Sequence, residues 1–156
     1  MDTVAPQRFR AVMGHFTTGV TVVTATSDAG PVGMTANAVC SLSLEPLLLL
    51  VCFANDARTL PPIREHRRFG VNVLAAGQED LARLFASKTP ERQKFADVQH
   101  SVHDGIPVIE GTLAWVGCTL KEWIPGGDHT IGIGTVTAAE VSHAGEPLVW
   151  FRGEYR

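Results

Sequence analysis

Eight consecutive apolar residues, Leu47-Leu48-Leu49-Leu50-Val51-Cys52-Phe53-Ala54, constrain the fold of this chain more than any other feature. A helix crossing a bilayer needs about 20 such residues, so this run is no membrane span. It reads instead as a strand over Leu47 to Phe53, apolar at every position and therefore buried on both faces. A second segment repeats the pattern at greater length. Gly111 to Trp123 carries Ala114, Val116, Cys118 and Leu120 on one parity, and Leu113, Trp115 and Trp123 on the other. A strand apolar on both sides needs two coverings, which a barrel interior and a subunit partner supply.

The remaining punctuation is mostly β. After a first helix opened by Pro6, with Phe9, Val12, Met13 and Phe16 on one stripe, Gly19 introduces the β-branched strand Val20 to Thr26. Asp28 to Pro31 is a turn, and a second strand is expected over Val32 to Asn37. Short helices are expected over Thr59 to His66, with Thr59 as N-cap, and over Gln78 to Ala86, with Leu81, Leu84 and Phe85 buried. Phe69 to Leu74 between them is a strand, and Ser87 to Asp104 reads as a polar loop. Thr130 to Val141 changes phase near Gly134, which predicts a bulge or bend, and Pro147 to Phe151 is the last strand. Six or more strands with a few short helices predict a mainly β fold, a small closed barrel, in one domain spanning residues 1–156.

With 45% hydrophobic and 19% charged residues and a net charge of −3, the chain carries no electrostatic footprint for nucleic acid. The densest basic cluster, Arg64, His66, Arg67 and Arg68, is interrupted by Glu65 and reads as a solvated helix end. The opening residues lack a basic stretch followed by an apolar one, so the cytoplasm is the expected location, with no membrane attachment. Three cysteines, Cys40, Cys52 and Cys118, lie in apolar contexts without a C-x-x-C pair and read as buried, inert thiols. The histidines (15, 66, 100, 103, 129 and 143) are scattered, and no metal site is expected.

Four segments have the residue types for chemistry. Gly33 to Ser43 is unusual for a strand: small residues at Ala36 and Ala38, and polar ones at Thr35, Asn37, Ser41 and Ser43, flank Met34 and Cys40. Small side chains let a flat ligand approach main-chain N–H and C=O groups, and a flavin ring has the edge to match. An irregular strand with a turn at Asn37 accounts equally well for the pattern. Asn55-Asp56-Ala57-Arg58-Thr59 combines a helix start, a hydroxyl and a guanidinium, a set suited to phosphate, although a plain cap with a surface Arg is the commoner arrangement. Ser87-Lys88 adds a hydroxyl and a cation, as a solvated loop also would. Gly126-Gly127-Asp128-His129 sets an Asp beside a His that it can orient. Rossmann and P-loop signatures and a nucleophile elbow are all missing.

As an ordered set these segments resemble the flavin reductase-like family, the short-chain reductase components of two-component monooxygenases. The resemblance rests on Phe9-Arg10 through Thr18-Gly19-Val20-Thr21-Val22-Val23-Thr24, Gly33-Met34-Thr35-Ala36-Asn37-Ala38 and Ser41-Leu42-Ser43-Leu44-x-Pro46. Phe69-x-Val71-Asn72-Val73-Leu74, Gln78, Phe85-Ala86 and Gly127-Asp128-His129 with Gly134-x-Val136 complete it. It implies an FMN-binding split β-barrel, a homodimer with flavin sites at the subunit interface. It places the flavin ring against Met34, Thr35, Ala36, Asn37, Ala38, Cys40 and Ser41. The ribityl chain and phosphate fall near Phe53, Ala54, Asn55, Arg58, Thr59, Leu60, Ser87 and Lys88. His129 is implied on the nicotinamide side, with Arg152 and Tyr155 bordering it.

The implied reaction transfers hydride from NADH or NADPH to N5 of FMN or FAD, chemistry that the cofactors carry themselves. No general base is required. Asn37, Ser41 and neighbouring amides are expected to bind the flavin, and His129 to orient the nicotinamide. The reduced flavin is then expected to pass to a flavin-dependent monooxygenase. The alternative is a non-catalytic flavin carrier or redox-sensing split-barrel protein. A pyridoxamine-phosphate oxidase-like enzyme calls for more phosphate-binding Arg and Lys than these segments offer.

Overall fold

The computed structural model describes residues 3–142 and 145–156; His143 lies outside them. Along the chain run α1 (Pro6–Met13), β1 (Thr18–Gly19), β2 (Thr21–Ser27), β3 (Gly30–Ala36), β4 (Val39–Leu44) and β5 (Leu47–Ala54). Then come α2 (Leu60–His66), β6 (Arg68–Val73), α3 (Glu79–Ala86), α4 (Glu91–Lys94), β7 (His100–His103) and β8 (Ile106–Ile109). Two long strands, β9 (Ala114–Gly126) and β10 (His129–Val141), precede the short β11 (Val149–Phe151) and β12 (Glu154–Tyr155).

Seven strands form one antiparallel sheet in the order β3-β2-β6-β9-β10-β5-β4. Its two edges, β3 and β4, are consecutive in the chain and are separated by Asn37 and Ala38 alone. So short a link between opposite edges forces the sheet to roll up, and β3 comes to lie beside β5. Among the described residues no ladder crosses that seam, so the structure is a split β-barrel, mainly β with a few short helices, as the family resemblance implies, and not the closed barrel that the strand pattern alone suggests.

Strand parity builds two cores. Val23 and Ala25 of β2 point into the barrel with Val51, Phe53, Phe69, Val71, Cys118 and Leu120. Leu60 and Ile63 of α2 join this cluster and close it at one end. Val20 and Val22 point the other way, under Ala82 and Phe85 of α3 and against Phe95, Ile109 and Leu148. Asn72 ties the two layers together. Its Nδ2 donates to Val22 O (3.0 Å) and Thr24 Oγ1 (3.2 Å), while its Oδ1 accepts the Ile109 amide (2.9 Å). An amide left unpaired at such depth costs about 1–3 kcal/mol, and this arrangement leaves none of the three unmet.

Several expectations are corrected. The segment Ser87 to Asp104 is not a plain loop. Glu91–Lys94 is a helical turn anchored at Gly33, and His100–His103 pairs with Ile106–Ile109 around Asp104 and Gly105, both at positive φ. Asn37 ends a strand rather than belonging to one, and Val39–Leu44 forms a further strand. The later apolar strand starts at Ala114, not Gly111, and runs on to Gly126. β5 is buried on one face only. Leu49, Val51 and Phe53 are inside, whereas Leu48, Leu50 and Cys52 are half-covered and Leu47 is exposed. The stripe of α1 covers no core, and none of its residues is buried. Of the cysteines Cys118 alone is buried, its thiol pushed up to about 12 by desolvation, while Cys40 is exposed and Cys52 intermediate. The basic cluster is the exposed end of α2, as expected, while Arg67 also donates to Leu120 O (2.9 Å) and Arg68 to Asp104 O. The phase change near Gly134 is present as a register shift between Ile133 and Gly134.

Candidate functional site

The seam of the barrel leaves the outer edge of β3 without a strand partner. In an antiparallel ladder a residue directs its N–H and C=O to the same side. The Gly33 amide points away from β2, to Glu91 Oε2 at 2.9 Å, so the main-chain groups of Thr35, two residues on, face the seam as well.

A cavity of about 530 Å³ opens along this edge. Met34 and Thr35 of β3, Ala54 at the end of β5, Arg58 and Thr59 before α2, and Ser87 and Lys88 after α3 all line it. Segments far apart in the sequence, around residues 34–35, 54–59 and 87–88, thus meet at one place. A second cavity of about 250 Å³ lies beside it, between Thr35, Ala36 and Asn37 on one side and Trp150 and Tyr155 on the other. A third, of about 450 Å³, is mostly apolar and takes in Asn37, Ala38 and Cys40 with Met13, Phe16, Leu50 and Cys52.

The local contacts give each residue its task. Thr59 is the N-cap residue of α2, as expected, but its side chain makes no capping bond; its hydroxyl, buried, donates to Met34 Sδ at 3.1 Å and fixes that side chain against the cavity wall. Thr35 Oγ1 donates to Ala82 O (2.6 Å), which ties β3 to α3. Ser87 Oγ donates to Leu84 O (2.7 Å) and holds the end of α3. Gly33 is small because α3 lies close: a Cβ there would stand 2.7 Å from the Phe85 ring. Asn55 and His129 line none of the three cavities; Asn55 ties the end of β5 to the turn before β10. Its Nδ2 donates to Gly127 O (3.2 Å), its Oδ1 accepts from Thr130 (2.8 Å), and its amide donates to Asp128 O (3.1 Å). This lattice of bonds sets the Gly127 turn, at φ 71°, so that His129 stands directly across the ladder from Ala54. His129 Nδ1 lies 2.7 Å from Asp128 Oδ1, and the hydrogen bond from His129 holds the Asp128 carboxyl below the usual carboxylate range.

Other expected residues sit elsewhere. Phe53 and Leu60 are core side chains; the Phe53 ring packs edge-on to Phe69 and Trp123, and its main chain pairs with Thr130 of β10 rather than facing the seam. Ser41 is exposed on β4 and lines none of the three cavities. Arg152, at φ 54°, donates its amide to Gly14 O (2.7 Å) and also stands outside them. Tyr155 packs on Trp150 with ring centroids 4.8 Å apart, under the Arg83 guanidinium at 5.3 Å. Burial raises its phenol pKa. Sequence reasoning missed Trp150, Glu91 and Lys94. The signals were there: an aromatic pair in the closing strands, and an acid and a base three apart after Pro90.

An open main-chain edge with hydroxyls and cations at the far end of the same cavity fits a planar heterocycle bearing an anionic tail. The flavin nucleotides are such molecules, and the residue types present fit one. Comparison with known proteins agrees. The family described as flavin reductase like domain matches residues 13–156, and the chain belongs to that family. The reductase subunit HsaB of a flavin-dependent monooxygenase from Mycobacterium tuberculosis is 39% identical over 155 residues, 97% of this chain and 82% of its own. The FMN reductase (NADH) SmoA of Agrobacterium fabrum is 41% identical, covering 94% of this chain and 83% of its own. Among solved structures, the NADH:FAD oxidoreductase SgcE6 of Streptomyces globisporus superposes with a TM-score of 0.91 at 38% identity, over 100% of this chain and 96% of its own.

Proposed function

We propose that this chain is an NAD(P)H:flavin oxidoreductase whose flavin, FMN or FAD, is held along the seam of the barrel and leaves reduced. The convergence of Met34–Thr35, Arg58–Thr59 and Ser87–Lys88 on one cavity carries the reading. A reduced nicotinamide and a flavin, once bound together, supply the hydride transfer themselves. The protein has to bind, orient and exclude, and its residues divide accordingly. The β3 edge from Met34 to Asn37 offers main-chain donors and acceptors to a ring, and Asn37, Ala38 and Cys40 continue that surface. Arg58, Ser87 and Lys88 would hold a phosphate by charge-assisted hydrogen bonds. His129, steadied by Asp128 and aligned with Ala54, would position the nicotinamide. Trp150 and Tyr155, tilted against each other, offer aromatic surface to it, or to an adenine, from the smaller cavity.

Relatives named as reductase components of monooxygenases support a flavin-dependent monooxygenase as the recipient of reduced flavin. We also assign the chain to a homodimer. The outer face of β5 and β10 pairs Leu50 with Ile133 and Cys52 with Ile131, and Met13 and Phe16 adjoin it. Leu42, Leu44 and Leu47, at the adjoining end of β4 and β5, are exposed as well, and a monomer rarely leaves so much apolar surface uncovered. No helix among the described residues is long and apolar enough to cross a membrane. We place the protein in the cytoplasm, where reduced nicotinamides are available.

The test is the rate of NADH and of NADPH oxidation with and without added FMN or FAD. Oxidation that depends on flavin is expected with at least one donor. Flavin binding with no flavin-dependent oxidation by either donor would instead mark a carrier or sensor.

A further inference from the structure

Glu91 is placed where a phosphate cavity has no obvious use for a carboxylate. It lines the same cavity as Arg58, Lys88 and Lys94, and its side chain is only 15% exposed. Both oxygens are committed. Oε2 accepts the Gly33 amide on the open edge of β3 at 2.9 Å. Oε1 accepts from Lys94 Nζ at 3.1 Å and lies 3.4 Å from Arg58 Nη2. Lys94 is itself buried, 2% exposed, with Nζ also directed at Phe85 O (3.4 Å) and set 5.9 Å over the Phe85 ring. Arg58 donates in addition to Thr89 O at 2.9 Å.

One carboxylate therefore joins the ring-binding edge to the cations at the tail-binding end. It also offsets them. The cavity holds three cations, and without Glu91 their sole acidic neighbour in its lining is Asp56. A protein that must release its reduced product has a reason to weaken its own grip on the anionic tail. We propose that Glu91 is a positioning residue that sets flavin release: it holds Arg58 back from the phosphate while pinning the β3 edge. This rests on the assignment of the flavin tail to Arg58, Ser87 and Lys88.

Glu91→Gln tests it. The amide keeps an oxygen for the Gly33 N–H and removes the charge. FMN and riboflavin, which differ by the phosphate, are titrated against flavin fluorescence at equilibrium, and NADH oxidation is followed with each. The variant is expected to bind FMN about fourfold more tightly, the scale of one partly exposed ion pair released to a new partner, with riboflavin unchanged. The KM for FMN falls in step, and FMN binding becomes more sensitive to NaCl. Removing the charge also leaves Lys94 buried without its ion pair, which threatens folding. The double variant Glu91→Gln with Lys94→Met removes both charges, keeps the packing of the stem, and carries the same expectation. Weakening of FMN and riboflavin in parallel, or no change in their ratio, overturns the proposal. Wild-type protein that binds neither flavin overturns the assignment beneath it.

Discussion

Asp128 is fully exposed, yet its carboxyl titrates below the ordinary aspartate value of about 3.9, chiefly because His129 donates to it. The direction fixes the pH behaviour. A depressed carboxyl contributes fully above its unfolded value, and the contribution is lost as pH falls through the lower, folded one. The pair therefore keeps its geometry through the neutral and mildly acid range. His129→Ala is expected to return the Asp128 carboxyl upward, as read by carbon NMR titration. It is also expected to raise the KM for NADH more than that for flavin. A larger change on the flavin side would remove His129 from the nicotinamide. At this scale the sequence was informative where neighbours were local. Asp128 beside His129 could be read directly, whereas the Thr59 hydroxyl reaching Met34 depends on two elements meeting in space. The burial of Cys118 and the exposure of Cys40 follow from which sheet face each occupies, and an apolar context alone does not fix that.

Among the elements, β10 shows most plainly how sequence dictates shape. Gly134 lies at a register shift, and a Cβ there would approach Cys118 Cβ and the Phe69 ring at 2.7 Å each. Neither neighbour can yield without disturbing the barrel interior, so Gly134→Val is expected to cost about 1–3 kcal/mol by overpacking. Chemical denaturation checks this, and unaltered stability would mean that the strands accommodate the side chain. The phase slip in the hydrophobic pattern was enough to locate this bend. The helical turn at Glu91 and the β7–β8 hairpin were not legible, because their residues are polar and their order comes from anchors outside the segment. Gly33 holds one, and β8 the other.

For the molecule as a whole, the order of the strands matters more than their number. The link Asn37–Ala38 joins the two edges of one sheet, and this leaves a seam with free main-chain groups where the cavity forms. The apolar runs led one to expect a barrel with both faces of its long strands covered, and in this chain Leu48, Leu50 and Cys52 form a half-exposed face of β5. Leu50→Asp is expected to shift the protein from dimer to monomer in sedimentation velocity and to weaken flavin binding with it. A dimer that persists would place the interface elsewhere. What the sequence could not supply is the meeting of segments across the seam, which only the rolled sheet creates.

The seat of the flavin is most directly settled by a crystal structure of the protein grown with FMN. The account predicts the ring against the main chain of residues 34–38 and the phosphate among Arg58, Ser87 and Lys88. A seam closed by the protein's own side chains, with FMN bound at another surface, would contradict it.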